Sequence, residues 1–128
     1  MTNVDLVKQA YSDFSTGNVP GVLALFDPAI EWHECKGMPF VNGDGVFIGP
    51  EAILSNVFMH LPGSFDGFNI SVTEIFGADD KVVMVGYYQG TNKATGNPFK
   101  ANATHTWTVN NGKFTHFFQA VDTATINS

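Results

Sequence analysis

The 128 residues make one ordinary domain, large enough to bury roughly two-thirds of its unfolded surface without a metal or disulfide staple. Hydrophobic residues reach 44% and charged ones only 14%, which excludes intrinsic disorder. Twelve acidic side chains against six lysines, with no arginine, set the net charge at −6 and leave no basic stripe or guanidinium fork for nucleic acid.

The chain opens with apolar residues at Val4, Val7, Tyr11 and Phe14, the spacing of an amphipathic helix that Thr2 or Asn3 can cap and Gly17 can end. Asn18 caps a second helix with Pro20 in its first turn and an apolar face from Val22 to Phe26, stopped at Asp27-Pro28. Ile30 to Cys35 reads as a strand. Four glycines and Pro39 make the stretch from Lys36 to Gly49 an irregular loop. Pro50 and Glu51 open a third helix, with Ile53, Leu54, Val57, Phe58 and Leu61 at helical spacing up to Pro62-Gly63.

From Phe65 the period changes to two. Phe68, Ile70, Val72 and Phe76 form one apolar face, which Glu74 interrupts either as a buried acid or at a bulge. Val82 to Thr91 is a strand that begins apolar on both faces. In the next strand Phe99, Ala101, Ala103, His105, Trp107 and Val109 share a face, with Lys100, Asn102 and three threonines opposite. Asn110-Asn111-Gly112 is a hairpin turn, and Lys113 to Val121 returns. The predicted fold is α+β: a curved antiparallel sheet packed on three N-terminal helices, enclosing an apolar pocket in a single domain over residues 1–128.

Cys35 stands alone, which suits a reducing compartment. Met1 to Asp5 has neither a positive region nor an apolar run, so no signal peptide is expected. No stretch approaches the roughly eighteen apolar residues of a membrane span. A cytoplasmic protein without membrane or nucleic-acid partners is the expectation.

The order of elements resembles the nuclear transport factor 2-like superfamily, in particular its SnoaL-like and ketosteroid isomerase-related branch. The residues that carry the likeness are the opening helix with Tyr11, the Gly17-Asn18-Val19 turn, and the strand Ile30-Glu31-Trp32-His33. They continue in Phe47-Ile48-Gly49-Pro50-Glu51, in the hairpin from His105-Thr106-Trp107 to Gly112-Lys113-Phe114, and in the closing Asp122-Thr123. The resemblance implies a cone whose open end admits a small hydrophobic molecule, and a homodimer packed through the outer sheet face. No cofactor and no metal are expected, since the four histidines fall at no metal-ligand spacing.

The resemblance also places the candidate site. His105 falls where ketosteroid isomerases carry a protonated carboxylic acid in their oxyanion hole. Its apolar neighbours favour a neutral imidazole, able to act as acid, base or hydrogen-bond donor, or else to sit as a core histidine bonded to a neighbour. His33 falls at the proton-shuttling aspartate. Because a strand alternates, either Glu31 and His33 or Trp32 and Glu34 face the pocket, never both pairs. Asp122 matches the acid that serves as base in the cyclase branch, or caps a turn near the C-terminus. Tyr11 lies one position from the isomerase's oxyanion tyrosine, where this chain has Ala10. The candidate catalytic set is therefore His105, His33 and Asp122. The candidate substrate-binding set is Tyr11, Trp32, Phe58, Tyr87, Trp107 and Phe117, with Phe40, Met59 and Met84 as further walls. The branch that hydrolyses epoxides with an arginine between two aspartates is excluded, since the chain has no arginine.

Two functions follow. One is an isomerase or cyclase that abstracts a proton from a hydrophobic carbonyl compound. The other is a non-catalytic module that binds a small lipophilic ligand or mediates dimeric interaction.

Overall fold

A computed structural model describes residues 1–128, and its architecture is the expected α+β arrangement. Six strands form one curved, unclosed sheet in the order β2-β1-β6-β5-β4-β3, with the helices packed on its concave side. Helix α1 (Asn3–Ser15) begins with a capping box: Asp5 N–H donates to Thr2 Oγ1 and Thr2 N–H to Asp5 Oδ2, both at 3.1 Å. It buries Val7 and Ala10 against the sheet. Helix α2 (Val19–Leu23) is capped by Asn18, whose side chain accepts from Gly21 N–H at 3.1 Å.

The second helix is shorter than its apolar face predicts. Strand β1 (Phe26–His33) begins at Phe26 and runs through Asp27-Pro28. Pro28 is tolerated because the ladder to β6 is broken between Phe26 and Glu31, so its missing N–H leaves no vacancy. The β1–β6 pairing is parallel, the one departure from an antiparallel sheet, because these two strands are not joined by a hairpin. Strand β2 (Val46–Ile48) pairs with β1 inside the stretch expected to be irregular.

Helix α3 (Pro50–Asn56) also ends early, giving way to a 3-10 turn at Phe58–His60 and a single turn α4 (Leu61–Ser64). Asn56 turns its side-chain amide onto the Ala52 carbonyl at 2.8 Å, and Val57 leaves helical geometry at ψ −71° and φ −121°. The break lets Val57 and Phe58 turn toward the interior. Strand β3 (Phe65–Ala78) bulges at Asp66/Asn69 and again at Val72/Glu74. The second bulge leaves Glu74 exposed, brings Ile75 inward and puts Phe76 on the outer face, while Val72, before it, stays on the side of α1 beside Lys8 and Tyr11.

Strands β4 (Lys81–Asn92), β5 (Pro98–Asn110) and β6 (Lys113–Val121) complete the meander, followed by α5 (Thr123–Ile126). One buried cluster, around Val7, Phe26, Trp32 and Phe114, lies beneath α1 to α3. A second, around Met38, Phe65, Tyr88 and Phe99, lies toward the other end of the sheet. No helix is long and apolar enough to cross a membrane.

Candidate active site

Between the two clusters lies a cavity with about 50 Å³ open to the centre of a water molecule. That is room for a few waters or one small compound. Of its sixteen lining residues fourteen are hydrophobic, and the exceptions are Glu34 and His105. An outer cleft of about 520 Å³ shares the walls Phe14, Phe58, Leu61 and Phe68 with it, so the inner cavity opens toward solvent past those four side chains.

Glu34 follows directly on β1. Its N–H donates to the Gly45 carbonyl at 2.8 Å, which ties the residue to the returning loop. Gly45 has φ +74°, and a Cβ there would lie 2.6 Å from the Glu34 carbonyl oxygen, so only glycine permits the approach. With this backbone held, strand alternation sends Trp32 and Glu34 inward. Trp32 Nε1–H donates to Glu34 Oε1 at 2.9 Å. Only 6% of Glu34 is exposed, and burial raises its carboxyl to about 7, against the opposing hydrogen bonds from Trp32 and Gln119.

His105 enters from the middle of β5, fully enclosed. Burial lowers its pKa to about 3, so the imidazole is neutral. Its tautomer follows from proton counting. Trp107 Nε1–H donates to the Tyr11 hydroxyl at 2.9 Å, leaving Tyr11's own proton for His105 Nδ1 at 2.6 Å. The Tyr88 hydroxyl donates to Gln119 Oε1 at 2.6 Å. His105 Nε2 must then carry the hydrogen and donate to Tyr88 at 2.5 Å. Gln119, with its oxygen occupied by Tyr88, has its amide N–H groups for Glu34. A chain of donors thus runs one way, from Trp107 through Tyr11, His105, Tyr88 and Gln119 to the Glu34 carboxylate. No buried side-chain nitrogen or oxygen lacks a partner. Burial raises both tyrosine hydroxyls well above their ordinary range, so they remain protonated.

The structure brings together Tyr11, Trp32, Phe58, His105, Trp107 and Phe117 from the candidate sets. Three other candidates, His33, Tyr87 and Asp122, lie outside the cavity. His33 points to the outer face, where its Nε2 lies 3.0 Å from Glu31 Oε1, because the inward pair is Trp32 and Glu34. Tyr87 is on the outer face with Lys100 Nζ 4.4 Å from its ring centroid. The β4–β5 register, which pairs Tyr88 with Ala101 and Met84 with His105, puts the even-numbered residues inside. Asp122 caps α5, accepting from Thr125 N–H at 3.2 Å and from its hydroxyl at 2.6 Å, outside the cavity. Among the further walls, Met84 is plain core, Met59 is 67% exposed, and Phe40 stacks on His60.

Tyr88 and Gln119 are not among the residues the sequence singles out, and Glu34 is only one of two alternatives there. Each has a signal in the sequence. Lys81, Gln89 and Thr91 are polar at odd positions of β4, which marks Tyr88 as inward. Gln119 is the polar break in the inward series Phe117, Gln119, Val121, as His105 is in β5, and the two are register partners.

The chain belongs to the SnoaL-like domain family, whose model matches residues 7–117. An NTF2-like protein from Burkholderia thailandensis is 32% identical, covers 99% of this chain and 95% of its own, and superposes with a TM-score of 0.92. An NTF2-like protein of unknown function from Burkholderia pseudomallei is 25% identical over the full length of both chains, with a TM-score of 0.87. TerC, co-crystallised with polyporic acid, is 25% identical over 98% of each chain, with a TM-score of 0.84. No curated protein sequence matches significantly. The fold is thus the NTF2-like cone.

Proposed function

We propose that this protein is a small-molecule enzyme that moves a proton on a hydrophobic carbonyl compound held in the cone, as isomerases and cyclases of this fold class do. The observation that carries the reading is Glu34: a buried carboxyl in an apolar cavity, brought by burial to about 7, where it can take and return a proton at neutral pH. Ionised Glu34 removes a proton alpha to the carbonyl. The developing enolate oxygen accepts a hydrogen bond from the Tyr11 hydroxyl, turned from His105 Nδ1 and keeping its proton, while the Trp107 N–H continues to hold the phenol in place. Glu34–H then returns its proton to another carbon, so the net change is a shift of hydrogen with no co-reactant. His105 has both nitrogens engaged and acts as a positioning residue between two tyrosines. That TerC was crystallised with polyporic acid supports a small-molecule role for the cone.

The reading is tested without knowing the natural substrate. Small cyclic and aryl ketones in D2O should exchange alpha hydrogens faster with the protein than without it, followed by proton NMR. Glu34→Gln should remove the acceleration and His105→Ala should reduce it. Binding of ketones with no exchange in any of them would leave a non-catalytic module instead.

We also propose a homodimer through the outer sheet face. Phe118, Thr106, Val83 and Phe76 form one cross-strand row there, and the two phenylalanines are 56% and 54% exposed. Sedimentation should give twice the chain mass, and Phe76→Glu with Phe118→Glu should return it to the monomer.

A further inference from the structure

The cavity holds one ionisable carboxyl and no counter-ion for it. Glu34 is almost wholly buried, and no lysine or histidine lies within ion-pair distance of its carboxylate. Its partners, the Trp32 indole and the Gln119 amide, are neutral donors that leave a full negative charge in an apolar enclosure when the group ionises. Around it stand the rings of Tyr11, Phe14, Trp32, Phe58, Phe68 and Trp107. Aromatic faces attract cations, most strongly where water is excluded.

The remaining polar atoms narrow the cation further. Each tyrosine oxygen already donates and accepts one hydrogen bond and both His105 nitrogens are engaged, so beyond the Glu34 carboxylate the walls offer few free acceptors to a primary ammonium with three N–H groups. A methylated ammonium needs few or none. We infer that the cavity takes a small methylated ammonium ion, seated among the aromatic rings with the Glu34 carboxylate as its counter-ion. The compact head suits the limited inner volume, and a substituent on it passes Phe14, Phe58, Leu61 and Phe68 into the outer cleft. The inference rests on the cavity being the ligand site, as the proposed function does, but requires no proton abstraction.

Choline and its carbon isostere 3,3-dimethylbutan-1-ol test it, because they share a shape and differ in charge. Titration calorimetry at pH 7 on the full chain should show choline bound at least about tenfold tighter than the alcohol. The binding should release protons, read as a heat that changes with the ionisation enthalpy of the buffer, since the cation draws Glu34 into its charged form. In Glu34→Gln the preference for choline should vanish. The unaltered chain supplies a second readout: choline affinity rises between pH 6 and 8 while the alcohol's does not. Tyr11, Tyr88 and His105, the titratable groups packed around Glu34 from α1, β4 and β5, are held neutral by burial, and Cys35 follows it in the chain. Equal affinity for the two ligands, no binding of choline, or a choline affinity flat with pH would each overturn the inference. Because no catalytic step enters these measurements, ketone exchange can fail while choline binds, and the reverse.

Discussion

Glu34 and His105 line one cavity, and burial favours the neutral form of both, with opposite consequences for stability. His105 is lowered from 6.5 to about 3, so the unfolded chain takes up a proton that the folded one refuses. Its effect is to weaken the fold as pH falls from about 6.5 toward 3. Glu34 is raised from 4.5 to about 7, so its contribution is complete at low pH and lost as pH rises through about 7. Above the histidine's range only the carboxyl acts. Urea unfolding should therefore show stability falling by only about 1 kcal/mol or less from pH 6.5 to 9, since most of the carboxyl's loss falls between pH 4.5 and 7, where the histidine opposes it. Glu34→Gln should flatten that decline and be the more stable protein at pH 9. His105→Phe should cost roughly 2–4 kcal/mol, because the hydroxyls of Tyr11 and Tyr88 lose their common partner inside the core. Nitrogen NMR of labelled histidine should show His105 with a protonated Nε2 and a bare Nδ1. An imidazolium signature at neutral pH would contradict the proton count.

Where each strand turns its faces is decided at the scale of the element. In β5 the alternation from Phe99 to Trp107 is clean in the sequence and holds in the fold, because both sides of the strand are paired and a slip of one residue would bury Lys100 and expose Trp107. Strand β4 begins with Val82, Val83, Met84 and Val85, apolar on both faces, so its parity is settled by pairing with β5. Strand β3 shows the limit of a periodic reading, since the bulge at Val72/Glu74 adds a residue and reverses the faces beyond it. Gly86 allows β4 to approach β3 at this bend: a Cβ there would lie 2.1 Å from the Ser71 carbonyl oxygen. Gly86→Ala should force the strands apart and cost roughly 1–3 kcal/mol in thermal or urea unfolding. Thr2→Ala, which removes one half of the α1 capping box, should cost about 1 kcal/mol.

At the scale of the whole molecule, the architecture was legible because its signals are local. The 3-and-4 spacing of α1, the Asn111-Gly112 turn and the alternation of β5 each depend on neighbours a few residues away. Low charge and high aromatic content announced an interior with room for a ligand, although the cavity is smaller than so many rings suggest, since they stack on one another. Trp32 and Phe117 lie 3.8 Å apart between ring centroids. The candidate site was legible where a polar residue breaks an apolar face, as His105 does. It was not where a choice between two faces, or between a site and a cap, depends on distant chain. His33 and Glu34 are adjacent, and what sends Glu34 inward is Gly45 beside its carbonyl, eleven positions on. Asp122 caps α5 because the chain leaves the sheet at Val121. The sequence by itself thus determined the kind of fold and one polar residue inside it, since hydrophobic periodicity and turn chemistry act over short stretches. Tertiary structure alone decided which acid is buried, which tautomer His105 holds and which tyrosines meet it. Those are consequences of register and enclosure, and they exist only once the sheet has curved around its contents.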